Sequence, residues 1–147
     1  MSGDLPYESS QRVGGRCLCL HTRRAARALS RRFDEAFRPL DLTNGQFSLL
    51  MALNRPSPWS IGELAEFLVM DRTSLTANLK PLARRDLISV RVDPADRRGR
   101  RIRLRAKGRR LLARALPIWE ETHAEIEAGL ARAEAEELRR DLRALAK

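Results

Sequence analysis

Leu75, Leu79 and Leu82 fall at i, i+4 and i+7, while Arg72, Thr73, Thr76, Ala77 and Lys80 take the other side. That spacing fits a helix with one dry face. Asp71 stands where its carboxylate can cap the first turn and favour the positive end of the helix dipole. Pro81 lacks an N–H and crowds the carbonyl of residue 77, so a bend or loosened turn is expected there. Beyond it, Ile88, Val90 and Val92 alternate with Ser89 and Arg91, and Ile102 and Leu104 alternate with Arg101, Arg103 and Arg105. This period of two predicts a two-stranded hairpin. Its loop, DPADRRGRR from Asp93 to Arg101, carries turn residues Pro94 and Gly99 and is too charged to fold onto a core, so it should project into solvent.

The same stretch holds the charge. Residues 71–110 contain fourteen Lys or Arg against four Asp, and the rest of the chain fifteen basic against fifteen acidic residues. A neutral body with one basic element suits a polyanionic partner, with double-stranded DNA foremost. The chain has 147 residues, 43% of them hydrophobic, enough for a single domain with a real core. No apolar run approaches the roughly 20 residues that span a bilayer, and no signal-peptide pattern opens the sequence. No membrane partner is expected, and the cytoplasm is the expected location.

The flanking segments are helical in pattern. After an arm from Met1 to about Gly15, apolar Leu18, Ala25, Ala28, Leu29, Phe33, Ala36 and Phe37 predict one long helix over 16–37, ended by Pro39. Its arginines at 23, 24, 27, 31 and 32 read as a solvated face or a subunit interface. Thr43 with Gln46 and Ser60 with Glu63 have capping-box spacing, opening helices that precede the one at Asp71. A short helix, a brief turn and a helix with a polar face form a helix-turn-helix, whose second helix enters the major groove, and the hairpin makes it winged. A further long helix is expected from Lys107 to about Glu127, bent at Pro117, and a last one through Leu138, Leu142 and Leu145. The fold class is thus mostly α with a small β-hairpin wing. The DNA-binding unit spans about 43–106, and dimerisation helices lie at about 16–40 and 107–147. A symmetric homodimer would read a pseudo-palindrome with half-sites about one helical turn apart.

DRTSLTANLKPLARRDLI from Asp71 to Ile88, the wing DRRGRRIRL from Asp96 to Leu104, and the segment from Cys17 to Leu50 resemble the MarR family of bacterial winged-helix transcription regulators. The resemblance covers most of the chain. It implies that Asp96 holds the wing loop while Arg98 enters the minor groove, where the narrow groove's potential favours a cation. It also implies a homodimer that represses promoters near its own gene and is released by a small aromatic or phenolic effector or by cysteine oxidation. The chain departs from the family pattern at three places. Ala77 stands where a basic residue is usual, Asp86 where glycine is usual before the first wing strand, and Arg105 where a threonine usually caps the next helix.

The residues expected to meet DNA are Arg72, Thr73, Ser74, Thr76 and Lys80 on the reading helix and Arg97, Arg98, Arg100 and Arg101 on the wing. An effector lodged between the first long helix and the reading unit would have His21, Phe47, Met51 and Trp119 as wall residues and Arg24 as a charge partner. Cys17 and Cys19 suggest an alternative, a thiol-based peroxide-sensing regulator of the same fold, although the sole tyrosine, Tyr7, supplies no partner near the thiols. A less specific structural nucleic-acid binder is the other alternative. It would lack the preference of about 1,000-fold or more that a regulator shows for its operator over bulk DNA. Two nearby cysteines and His21 fall short of a zinc set, so no metal and no cofactor are expected. Without a phosphate-cradling glycine loop or a nucleophile paired with a base, an enzyme is not expected either.

Overall fold

A computed structural model describes residues 3–130 and 132–147. Met1 and Ser2 of the expected arm, and Ala131 within the expected C-terminal dimerisation segment, lie outside the described residues. The rest of the arm is mostly helix, α1 (Tyr7–Arg16), and α2 (Leu18–Phe37) follows. The expected start of a continuous helix at Arg16 is corrected by a break at Cys17, whose backbone is extended (φ −71°, ψ 105°). Gly14 and Gly15 weaken the end of α1, and the Cys17 sulfur caps α2 by accepting from the Leu20 N–H at 3.4 Å.

A 3₁₀ turn (Arg38–Leu40) leads into α3 (Asn44–Ala52), then β1 (Trp59–Ser60), α4 (Ile61–Leu68) and α5 (Arg72–Arg84). Both capping boxes form, Thr43 with Gln46 and Ser60 with Glu63. Asp71 caps α5 by accepting from the Ser74 N–H at 2.7 Å. The wing strands are β2 (Ile88–Val92) and β3 (Arg100–Leu104), followed by α6 (Ala106–Ala128) and α7 (Arg132–Leu145). The hairpin gains a third strand, because β1 pairs antiparallel with β3, setting Trp59 opposite Ile102. Trp59 is anchored there by donating from Nε1 to the Ala52 carbonyl at 2.7 Å, with the Arg55 guanidinium 4.1 Å over its ring. Neither Pro81 nor Pro117 ends its helix. The carbonyls they leave unpaired belong to exposed Ala77 and Ala113, where water can serve them.

The core joins Phe33 and Phe37 of α2, Phe47 and Leu50 of α3, Leu64 of α4, the stripe Leu75, Leu79 and Leu82 of α5, Ile88, Ile102 and Leu104 of the sheet, and Leu111, Leu112 and Ala115 of α6. Phe37 stands at its centre, its ring centroid 4.7 Å from that of Phe47. Of the alternating residues on β2 only Ile88 is buried, and Val90 and Val92 lie beyond the reach of the core. The apolar residues of the terminal helices, Leu18 and Leu29 on α2 and Leu138, Leu142 and Leu145 on α7, remain exposed in the single chain.

Two departures from the family pattern meet in space. Asp86 is left-handed (φ 61°), the conformation for which glycine is usual, and its carboxylate pairs with Arg105 at 2.7 Å. Arg105 is the N-cap of α6 without a side-chain cap bond, so the pair ties the exit of α5 to the start of α6 where the usual residues are missing.

The turn between α4 and α5 is strained. Val69 is left-handed (φ 53°) and 69% exposed, and its N–H closes the end of α4 onto Ala65 and Glu66. A β-branched residue there costs about 1–2 kcal/mol, and its exposed side chain recovers little of that by packing. Val69→Gly should therefore raise stability by about 1 kcal/mol after the greater unfolded-state freedom of glycine is subtracted. Urea unfolding at fixed protein concentration would show it as a higher midpoint at unchanged slope.

Candidate nucleic-acid interface

The exposed face of α5 divides by how its polar groups are already used. Ser74 donates from Oγ to the Asp71 carboxylate at 2.7 Å as well as from its N–H, so this hydroxyl completes the cap. These two Ser74 bonds, the side-chain one first, hold the Asp71 carboxyl below the usual carboxylate range. The Thr76 hydroxyl donates to the Arg72 carbonyl at 2.8 Å, leaving its methyl outermost, a group suited to a thymine methyl. Thr73 and Lys80 are exposed, and their side chains make no bond among the described residues. Arg72 lies so close to α4 that a Cβ at Gly62 would come within 2.9 Å of its Nη2.

The wing is held by two aspartates. Asp96 accepts from the Arg98 N–H at 3.0 Å, and the Gly99 N–H donates to the Asp96 carbonyl at 2.8 Å. Asp93 does more. It is 8% exposed, accepts from the Ala95 N–H at 2.9 Å and from Arg101 Nε at 2.7 Å, and its own N–H donates to the Gly99 carbonyl at 3.1 Å. Its carboxyl is held below the usual range by the Ala95 N–H first, with Arg101 adding to the effect. Arg101, placed among the DNA contacts on sequence alone, is thus a partner of Asp93 and also lies 3.5 Å from Glu63 of α4. The guanidinium groups of Arg97 and Arg98 are exposed and make no bond among the described residues, while Arg100 donates to the Arg97 and Gly99 carbonyls. Sequence reasoning missed Asp93. The available signal was an aspartate two residues before a free N–H in a turn, the Asx-turn spacing.

Asp93→Asn should loosen the loop. Faster amide hydrogen exchange at Ala95 and Gly99, with the α5 amides unchanged, is the expected result. Because the folded pKa of Asp93 is depressed, its contribution is present above the ordinary carboxylate pKa and is lost as pH falls through the lower folded value. In wild type the same two amides should therefore lose protection only in acid.

The candidate effector residues do not all meet. Phe47, Met51 and Trp119 line one depression of about 460 Å³ with Phe67, Leu68 and Leu116, between α3, α4 and α6. His21 and Arg24 are not among its lining residues. The break at Cys17 sets His21 beside α1 instead, with Nε2 3.3 Å from the Gly15 carbonyl, and Arg24 is exposed on α2. Cys17 shares a shallow depression with Arg12, Val13 and Arg16, Cys19 is exposed, and both thiols are free. No cluster of metal-ligating side chains and no helix long and apolar enough to cross a membrane occurs among the described residues.

With this geometry in place, a model of the MarR family matches residues 42–99, spanning α3 through the wing loop. The transcriptional regulator MosR of M. tuberculosis, solved in complex with DNA, is 40% identical, with 88% of this chain and 93% of that chain covered at a TM-score of 0.80. The transcriptional repressor CouR bound to a 23-mer DNA duplex is 27% identical over 99% of this chain and all of that chain (100%), again at a TM-score of 0.80. BpsR of Bordetella bronchiseptica, whose DNA binding is regulated by 6-hydroxynicotinic acid, is 26% identical over 90% of this chain and 94% of that chain, at a TM-score of 0.79.

Proposed function

The chain belongs to the MarR family, a DNA-binding transcriptional regulator and not an enzyme, and on that premise we propose that it is a cytoplasmic repressor, a homodimer on a pseudo-palindromic operator, released by a small aromatic effector. One observation carries the reading. A capped helix offers the exposed side chains of Thr73 and Lys80 beside a wing whose exposed Arg97 and Arg98 side chains have no partner among the described residues, in a chain 40% identical to a regulator solved with DNA. The uncovered leucines of α2 and α7 support the homodimer, since a second copy would remove both stripes from water. Two copies then present two α5 helices, to half-sites roughly 34–36 Å apart. Asp96 orders the loop, and Arg98 takes the minor groove.

The depression under Phe47, Met51 and Trp119 supports the effector. It is apolar, half-open, and bounded by α4 of the reading unit on one side and by α6, which packs on α2, on the other. BpsR's regulation by a hydroxylated pyridine carboxylate makes phenols and aromatic carboxylates the compounds to try. A ligand there shifts the dimer only by its difference in affinity for two spacings of α5.

A second reading has its own observation, Cys17 at the elbow between α1 and α2. A peroxide would oxidise its thiolate to a sulfenic acid with loss of an alcohol, disturbing the cap that its sulfur forms on the Leu20 N–H.

Selection from randomised duplexes with the full-length protein tests the DNA reading, and a two-fold consensus is expected. Loss of all preference would favour a coating protein instead. Operator release by the aromatic panel and by cumene hydroperoxide, in wild type and in Cys17→Ser with Cys19→Ser, separates the two sensing mechanisms. Peroxide release that vanishes in the serine variant, with no response to the panel, would replace the depression with the thiols.

A further inference from the structure

The wing has a second basic surface, set back from its tip. The outer face of the sheet forms an open groove of about 670 Å³ whose lining includes Arg91, Arg101, Arg103, Arg105 and Arg109 and no acidic residue. Arg101 is engaged by Asp93, and Arg105 by Asp86. The other three have no carboxylate partner among the described residues. Arg103 and Arg109 reach only the backbone carbonyls of Pro56 and Leu104, and Arg91 has no partner there. Arg91 moreover stands directly opposite Arg101 in the β2–β3 register, a like-charge cross-strand pair that destabilises a sheet in the free protein. Asp93 holds Arg101 in place, but no carboxylate among the described residues answers Arg91, and an anion on this face would do so.

From the groove's shape and place we infer that the outer face of the wing binds the phosphate backbone of duplex DNA flanking the half-site, drawing the duplex up along the sheet. This rests on the operator reading above. Three observations favour a long polyanion over a small one. The groove is open to solvent. It is continuous with the tip, since Pro94 and Arg101 belong to both. Its strand arginines without a carboxylate partner among the described residues, Arg91 and Arg103, lie diagonally across β2 and β3, about 7–8 Å apart, so that one phosphate backbone can meet both. A duplex that leans onto this face costs bending energy, which added phosphate contacts can offset.

The test uses Arg91→Gln with Arg103→Gln in the full-length protein, with unchanged circular dichroism and melting as the control for folding. Operator duplexes would carry either no flank or about one helical turn of flank on each side. Wild type is expected to bind the flanked duplex on the order of 10-fold more tightly at about 0.1 M salt, the scale of a few neutralised phosphates. The double variant should match wild type on the bare duplex, gain nothing from flanks, and show a salt slope on the flanked duplex shallower by about 0.9 for each phosphate lost. Inorganic tripolyphosphate, added as competitor, should erase the flank effect before it displaces the bare operator. Equal flank dependence in wild type and variant overturns the proposal, as does loss of bare-duplex affinity in the variant, which would move these arginines to the core contact. Tripolyphosphate binding without any flank effect overturns it in favour of a free anion. Failure of wild type to prefer the operator at all would sink the operator reading and this surface together, whereas operator preference without flank dependence sinks this surface alone.

Discussion

Thr73→Ala, Thr76→Ala and Lys80→Ala in one protein should leave a variant that folds normally and still binds DNA, but no longer prefers its operator. Thr73 and Lys80 present polar groups with no partner among the described residues on the exposed face of α5, and Thr76 presents its methyl because its hydroxyl is turned to the Arg72 carbonyl. Each good base contact is worth about 1–3 kcal/mol, and the proposed dimer would make every contact twice. Three lost contacts per half-site therefore reach the whole gap between specific and non-specific binding, about 1,000-fold or more. The stripe Leu75, Leu79 and Leu82 and the Asp71 cap are untouched, so the melting temperature should hold. The opposite behaviour is expected of Arg97→Ala with Arg98→Ala, which should weaken binding across sequences and flatten the salt dependence. Arg101 is left out of that variant because removing it would strand buried Asp93. If selections on randomised duplexes return one consensus for wild type and for the triple alanine variant, α5 is not the reading helix.

The second large effect is on folding. Gly108 lies one turn into α6, where a Cβ would stand 2.4 Å from the Leu87 carbonyl oxygen and 2.6 Å from Leu104 Cδ1. That carbonyl is fixed, because it accepts from the Arg105 N–H at 2.9 Å, and Leu104 is buried in the core. Neither neighbour can retreat without opening the junction of wing and α6. Gly108→Val should cost about 3 kcal/mol or more, the upper end of overpacking, against a total stability of about 5–15 kcal/mol for a domain. Gly108→Ala should still destabilise, although alanine recovers about 1 kcal/mol of helix propensity. Gly45→Ala is the matched control on α3, with only Thr43 Oγ1 within 4.0 Å of the added Cβ. It should gain about 0.5–1 kcal/mol. Denaturant titrations that rank Gly108→Val with Gly45→Ala would show that α6 is not held against Leu87.

Local signals carried much of the architecture. The caps at Thr43, Ser60 and Asp71 act over three residues, and each forms as its spacing predicts. The period of Leu75, Leu79 and Leu82 needs only one helix to declare its dry face, and the alternation through Ile102 and Leu104 only one strand. The concentration of charge in residues 71–110 is likewise a property of order along the chain, and with the helix pair it points to DNA from the sequence alone. Long-range choices were not legible. Trp59 and Ser60 become a strand only because β3, some forty residues later, offers a free edge. Arg101 reads as one more wing cation until folding sets Asp93 against its Nε and Glu63 nearby. Asp86 and Arg105, two unrelated departures along the chain, become one ion pair, and Gly108 becomes indispensable when Leu87 arrives beside it. Caps and periodicities are settled within a few residues by the backbone's own hydrogen bonds and the apolar face. A guanidinium among fourteen basic side chains has no intrinsic preference for carboxylate or phosphate, so only the tertiary structure, by bringing one carboxylate within reach and leaving the others out, assigned each arginine its partner.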